Sequence, residues 1–177
     1  YVNLALSQLG NPPKEKIIVC KGEDIPFIVE ELSRNGKKII GLTGRDLFEE
    51  YALSRGKTNL KVIKTIHWGD KEAHFGKPAL CLLGPKGKAL KDLPDNLKVC
   101  INIKYKNLAK KYLATLNGNR NFSSIYLSGS TESAYTMGMS DLVIDIVYTG
   151  SSIREAGLDV YQKIFESDFV IVGVEND

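Results

Sequence analysis

The sequence predicts an α/β protein with mostly parallel sheets, and three observations predict it. Short apolar runs recur along the chain without polar–apolar alternation, each run stops at a glycine or another small residue, and amphipathic stretches of helical period lie between the runs. Unalternating β-branched runs are the pattern of strands buried on both faces, the habit of parallel sheets. Strands that alternate with helices of about ten residues complete the α/β reading.

In chain order, Ile17-Ile18-Val19-Cys20 ends near Gly22 and reads as the first strand. Ile25, Ile28, Val29 and Leu32 then follow helical spacing, with Asp24 at the N-cap and Pro26 in the first turn. Ile39 to Leu42 is a strand ending at Thr43-Gly44, and Leu47, Phe48, Tyr51 and Ala52 mark a helix that opens at Asp46 and closes at Gly56. Ala79 to Leu83 is a strand ending at Gly84-Pro85. Leu108, Tyr112 and Leu116 mark a helix started by Asn107 and stopped by Asn117-Gly118. Three further strands run over Ile125–Leu127, Leu142–Tyr148 and Phe169–Val172, ending at Ser128-Gly129-Ser130, Thr149-Gly150 and Gly173. Gly84 to Asn96 breaks the rhythm with Gly, Pro and Lys, as either a long surface loop or a crossover between two subdomains.

Composition narrows the function. Lys+Arg minus Asp+Glu is 24 − 21 = +3, which is no charge excess of the kind that tracks a nucleic-acid backbone. No apolar stretch reaches the ~18 residues that span a bilayer, so a soluble cytoplasmic protein is expected. Cys20, Cys81 and Cys100 each sit in an apolar run, and their odd number and wide spacing suit buried reduced thiols rather than disulfides or a metal clip. His67 and His74, seven apart in a polar stretch, could ligate a metal or flank a ligand, but they have no third ligand at metal-binding spacing, and the sequence contains no nucleophile elbow, P-loop or His-Glu-x-x-His.

Three strand–small–helix junctions carry the chemistry. The strand through Asp145 runs into Thr149-Gly150-Ser151-Ser152, where unpaired backbone amides, hydroxyls and a helix dipole favour a phosphate. The alternative is that Ser151 or Ser152 only caps a helix. Asp145, a carboxylate in an apolar strand, is costly to desolvate and suits ribose hydroxyls or a magnesium-bound ligand, or else meets solvent or a backbone amide. Ser128 to Ala134 is a second junction, in which Glu132 belongs to no capping box and is either a first-turn dipole residue or a ligand residue. In the third, Gly41 to Asp46, Arg45 either holds a phosphate or pairs with Glu49. All three lie where open α/β sheets bind ligands, beyond strand carboxyl ends.

Taken in order, these segments resemble the ATP phosphoribosyltransferases, which catalyse the first step of histidine biosynthesis. Leu127-Ser128-Gly129-Ser130-Thr131-Glu132-Ser133-Ala134 is similar to the family's Leu-Asn-Gly-Ser-Val-Glu-x-Ala, and Gly138-Met139-Ser140-Asp141 to its Gly-Leu-Ala-Asp. Asp145 to Glu155 resembles its phosphoribosyl-pyrophosphate motif, Asp-[Ile/Leu]-Val-x-Thr-Gly-x-Thr-Leu-x-x-Asn. Asp24-Ile25-Pro26, Gly41 to Asp46 and Lys104-Tyr105-Lys106-Asn107-Leu108 are similar to its Asp-Val-Pro, Gly-Ile-x-Gly-Lys-Asp and Lys-Tyr-Pro-Asn-Leu.

The resemblance implies a two-lobed, periplasmic-binding-protein-like (type II) fold with the ligand cleft between lobes. Residues 1–88 with 161–177 would form a nucleotide-side lobe, and 89–160 a lobe that binds phosphoribosyl pyrophosphate. Thr149, Gly150, Ser151 and Ser152 would take the 5-phosphate, with Asp145 and Glu132 near the ribose; Arg45, Asp46 and Lys104 would serve the nucleotide. Mg2+ would arrive with the substrate rather than on protein ligands. With the sequence ending at Asp177, the family's short form is expected, working in a homo- or hetero-oligomer with a regulatory subunit similar to histidyl-tRNA synthetase. The departures are Leu6-Ser7-Gln8-Leu9-Gly10-Asn11 in place of Leu-Pro-Lys-Gly-Arg-Leu, which removes two cations, together with Ile103, Tyr135 and Ala156 in place of Thr, Pro and Asn. Two other readings stand beside this one. A non-catalytic periplasmic-binding-like module for a small anion or nucleotide gains from the missing cations. A type I phosphoribosyltransferase shares the acid–Thr-Gly turn, but Ile146 stands where its second acid belongs.

Overall fold

The computed structural model describes residues 2–116, 118 and 120–174. In chain order its elements are α1 (Val2–Gln8), α2 (Ile25–Arg34), β1 (Ile40–Gly44), α3 (Arg45–Arg55), β2 (Leu60–Ile66), β3 (Ala79–Pro85), β4 (Asn96–Asn102), α4 (Lys106–Thr115), β5 (Asn121–Leu127), α5 (Thr131–Thr136), β6 (Leu142–Val147), α6 (Ser151–Glu155), β7 (Leu158–Glu166) and β8 (Phe169–Val174). They divide into two compact units, one of residues up to Trp68 rejoined by the chain from Asp168 onward, the other of Gly69–Ser167. No helix among the described residues is long and apolar enough to cross a membrane.

The first unit is a three-stranded sheet in the order β1-β8-β2, antiparallel throughout. Its central strand explains the run Phe169-Val170-Ile171-Val172. Val170 and Val172 pack with Val29, Phe48 and Leu60 on the face covered by α2 and α3, while Ile171 meets Ala5 of α1 and Ile66 on the other. Gly41 makes the helix packing possible: a Cβ there would lie 2.4 Å from Ile25 Cγ2 and 2.7 Å from Val29 Cγ2. Asp24 occupies the N-cap of α2 with helical dihedrals, so its side chain makes no capping bond. Gly56, at φ +71, closes α3.

The second unit is a five-stranded sheet, β5-β4-β6-β3-β7. β4 is parallel to β5 and to β6, whereas β3 is antiparallel to β6 and to β7. One face is the core of Cys81, Leu83, Cys100, Val143, Val147, Ile153 and Leu158, with Ala134 of α5. Leu80, Leu82, Val99, Ile101 and Ile144 are buried too and by strand alternation point to the opposite face.

Several expectations are corrected. The sheets are mixed, and one of them is wholly antiparallel, because two-sided burial in β3 and β8 comes from central position and coverage on both faces rather than from parallel pairing. Ile17–Cys20 forms no strand: Ile18 and Val19 are 70% and 91% exposed and Cys20 is exposed as well. The chain passes between units at Trp68/Gly69 and Ser167/Asp168, not near residues 88 and 160, since β3 and β7 are neighbours in the second sheet. Gly84 to Asn96 is therefore a loop within one unit, joining β3 to β4 through a 3₁₀ turn at Leu90–Asp92. β2, β4 and β7 were not anticipated; β2 carries Lys61 and Lys64 within its apolar pattern. Of the Asn117-Gly118 stop expected after α4, Asn117 lies outside the described residues.

Candidate functional site

The parallel trio β4, β5 and β6 ends on one edge of the second sheet, where Asn102 is opposite Leu127 and Ile101 opposite Ile144. Each strand delivers a chemical group there. β6 places Asp145 one turn of pleat before its end, β5 leads into α5 with Thr131 and Glu132, and β4 finishes at Asn102.

These groups meet. The Thr131 hydroxyl donates to Asp145 Oδ2 at 2.6 Å, the Asn102 amide donates to Oδ1 and Oδ2 at 3.1 and 3.3 Å, and the Ile146 N–H donates to Oδ1 at 2.7 Å. Burial pushes the Asp145 carboxyl above its ordinary range; the three donors pull it back in part, and the nearby Glu132 charge adds to the rise. Glu132 in turn accepts from the Ser152 hydroxyl at 2.9 Å, which links α5 to α6.

The turn before α6 is built on Gly150 at φ +76, a conformation glycine adopts without strain. The Thr149 and Ser151 hydroxyls are 2.8 Å apart on its exposed rim. A Cβ on Gly150 would lie 3.2 Å from Arg154 Nη1 and 3.7 Å from His74 Nδ1, so two nitrogen-bearing side chains border this turn. His74 is held there by its own N–H, which donates to the Tyr148 carbonyl at 2.6 Å, and by the Tyr148 hydroxyl, which donates to Asp70 in the same loop. The result is a rim of hydroxyls with the Arg154 guanidinium and the His74 imidazole, suited to a phosphate, beside carboxylates suited to sugar hydroxyls.

The structure thus gathers Glu132, Asp145, Thr149, Gly150, Ser151 and Ser152 within one unit. Lys104 belongs to the same unit and is exposed, in the 3₁₀ turn whose first amides are capped by Asn102. Arg45 and Asp46 open α3 in the first unit: Arg45 lies 3.6 Å from Glu49, and Asp46 is only 6% exposed. The two histidines are used separately, since His67 Nδ1 lies 3.3 Å from Asp168 Oδ2 in the first unit. Among the described residues no group of three or more His, Cys, Asp or Glu could hold a metal ion. Asn102 and Thr131 were missed, and His74 was singled out only as a pair with His67. Asn102 carried a signal, a lone amide at the end of the run Val99-Cys100-Ile101, but only the strand order puts it beside Asp145.

Comparison with known proteins matches residues 21–176 to the family model described as HisG: ATP phosphoribosyltransferase. The ATP phosphoribosyltransferase of Caldicellulosiruptor bescii is 32% identical over 153 residues, 85% of this chain and 64% of that protein. That of Sulfolobus acidocaldarius is 30% identical over 160 residues, 89% of this chain and 50% of its own length. The chain therefore spans about two thirds or less of these relatives. Among solved structures, the ATP phosphoribosyl transferase (HisG:HisZ) complex from Thermotoga maritima superposes with a TM-score of 0.68 at 24% identity, covering 89% of this chain and 66% of that one. The periplasmic aliphatic sulphonate binding protein SsuA from Escherichia coli shares the fold at a TM-score of 0.56 and 15% identity, over 98% of this chain and 58% of that one. The fold is accordingly α/β and periplasmic-binding-protein-like, with mixed sheets, and the chain belongs to the HisG family of ATP phosphoribosyltransferases.

Proposed function

We propose that this chain is the catalytic subunit of a short-type ATP phosphoribosyltransferase, a cytoplasmic enzyme that transfers phosphoribosyl from phosphoribosyl pyrophosphate to N1 of ATP and releases pyrophosphate. The observation that carries this reading is the convergence of Asp145 and Glu132 with the Thr149–Ser152 turn on one sheet edge. The turn takes the 5-phosphate; its hydroxyls donate and Gly150 leaves room for the ligand. Asp145 and Glu132 accept from the ribose hydroxyls. Arg45, exposed in the first unit with Asp46 beside it in the first turn of α3, and Lys104, exposed in the second unit, are each taken as nucleotide-binding residues.

In the reaction the bond from the anomeric carbon to the pyrophosphate oxygen breaks, and its electron pair leaves with pyrophosphate. The adenine N1 lone pair forms the new bond through an oxocarbenium-like state. This chemistry needs positioning and charge stabilisation, not a nucleophilic side chain. Magnesium carried by phosphoribosyl pyrophosphate would supply charge neutralisation for the leaving group.

The likeness to the Thermotoga maritima HisG:HisZ complex supports a HisZ-type regulatory partner, similar to histidyl-tRNA synthetase. The test is pyrophosphate release from ATP, phosphoribosyl pyrophosphate and magnesium, with and without such a partner. Release in either condition is the expected result, and its absence in both overturns the reading. One observation favours a second, non-catalytic reading: Gln8 and Gly10 stand where two cations are implied, and the segment through Gln8 is helix α1. With those cations replaced, calorimetry should show weak ATP binding and intact phosphoribosyl pyrophosphate binding, and tight ATP binding with none of the other substrate would reverse the assignment of the two substrates.

A further inference from the structure

We propose that Asn102 is a positioning residue for Asp145, holding its carboxylate in the orientation in which it meets the ribose of phosphoribosyl pyrophosphate. The proposal rests on the reading of Asp145 as a ligand residue. Asn102 is the last residue of β4, and β4 lies beside β6 in parallel register, so the amide reaches sideways across one strand spacing to the carboxylate. Its orientation is fixed from the other end: the Asn102 side-chain carbonyl accepts from the Lys104 N–H at 3.2 Å, which leaves the nitrogen facing Asp145. The same side chain thus caps the turn that follows β4 and donates to the carboxylate.

The placement of the donors gives the arrangement its purpose. A carboxylate offers about four lone-pair positions. Ile146 N–H donates to Oδ1, Thr131 Oγ1–H to Oδ2 and the Asn102 amide to both, so Asn102 is the donor that bridges the two oxygens and fixes the plane of the carboxylate. Without Asn102 the carboxylate is free to turn toward Thr131 alone. Its ionised form also loses a donor in a site where burial and Glu132 already oppose ionisation. The other ionisable groups around Asp145 are the Cys100 thiol on β4, whose own rise is attributed partly to Asp145 and Glu132, and Cys81 opposite it on β3.

The experiment measures phosphoribosyl pyrophosphate affinity by calorimetry from pH 5 to 8 in the full chain, with thermal unfolding of each variant. Asn102→Asp keeps an oxygen for the Lys104 N–H but replaces the donor facing Asp145 with a second carboxylate. Asn102→Ser, too short to bridge, is the second variant should the first fail to fold. Either folded variant is expected to weaken binding about tenfold at pH 7 and to move the acid limb of the affinity profile to higher pH relative to wild type. The ligand's own phosphate titrates in both and cancels in that comparison. Unchanged affinity, or weaker binding with an unmoved acid limb, overturns the positioning role and leaves Asn102 as a turn cap. Asp145→Asn distinguishes the underlying reading: if it binds as wild type does, Asp145 is not a ligand residue, whereas loss in Asp145→Asn with none in the Asn102 variants defeats the positioning proposal alone.

Discussion

Ser151 is exposed on the rim of the turn before α6, with its hydroxyl 2.8 Å from that of Thr149. Ser151→Asp puts a negative charge where the 5-phosphate is proposed to sit. Charge repulsion there costs more than the ~1–3 kcal/mol of one lost hydrogen bond, so binding of phosphoribosyl pyrophosphate should fall well over tenfold. Because the side chain faces solvent, thermal stability should stay within about 0.5 kcal/mol of wild type. Unchanged affinity in a folded variant would leave helix capping as the turn's whole role. The cysteines make a second prediction at this scale. Burial pushes the Cys81 thiol up to about 12 despite the Lys163 charge, and burial with the Asp145 and Glu132 charges pushes Cys100 to about 11. Cys20, expected from sequence to be buried, is exposed. A thiol reagent at pH 8 should therefore label one cysteine quickly in the native protein and all three in denaturant. Rapid labelling of Cys81 or Cys100 would show that the second sheet opens readily.

Glu30 fastens α2 to α3 and to the turn into β2. It is 1% exposed and accepts from the Tyr51 hydroxyl, the Thr58 hydroxyl at 2.9 Å and the Asn59 N–H at 3.2 Å, with the Arg34 guanidinium 3.5 Å away. Burial alone would raise its carboxyl, but these four partners together hold it below the usual range. Its contribution is therefore present above the unfolded value near 4.3 and lost as pH falls through the folded one. Glu30→Gln should cost about 1–3 kcal/mol at pH 7 by denaturant unfolding, and the two stability curves should draw together below about pH 4. A constant gap at all pH values would mean that packing, not charge, is what Glu30 supplies. At this scale the sequence was informative about burial and silent about direction. Ala79 to Leu83 and Phe169 to Val172 read correctly as strands covered on both faces, yet neither run encodes that its neighbours are antiparallel. Ile17–Cys20 has the composition of a strand but no pairing partner, and composition cannot supply one. The strand–turn–helix junction at Thr149–Ser152 was legible because its parts are contiguous, from Asp145 to Ser152. The Asp145 cluster was not, because it assembles from three elements whose adjacency is set by strand order.

The six residues proposed for phosphoribosyl pyrophosphate all fall within Gly69–Ser167, which makes the division of labour between units testable on that segment alone. It contains a complete five-stranded sheet with its own buried core from Ala79 to Leu158. Its last residue is tied to the start of β3 by the Ser167 N–H, which donates to the Pro78 carbonyl at 3.0 Å, and cutting at both crossovers severs no strand, since β2 ends at Ile66 and β8 begins at Phe169. At about a hundred residues it lies within the range of autonomous domains. A fragment of residues 69–167 should unfold cooperatively and bind phosphoribosyl pyrophosphate within about tenfold of the full chain, since the carboxylates and the phosphate turn are held by its own elements. It should release no pyrophosphate with ATP, because Arg45 and Asp46 are absent from it. A folded fragment that binds ATP but not phosphoribosyl pyrophosphate would reverse the assignment of the two substrates, and one that binds neither would show that the first unit contributes to both sites. A fragment that fails to fold cooperatively would show that the sheet of the second unit depends on the first for its stability.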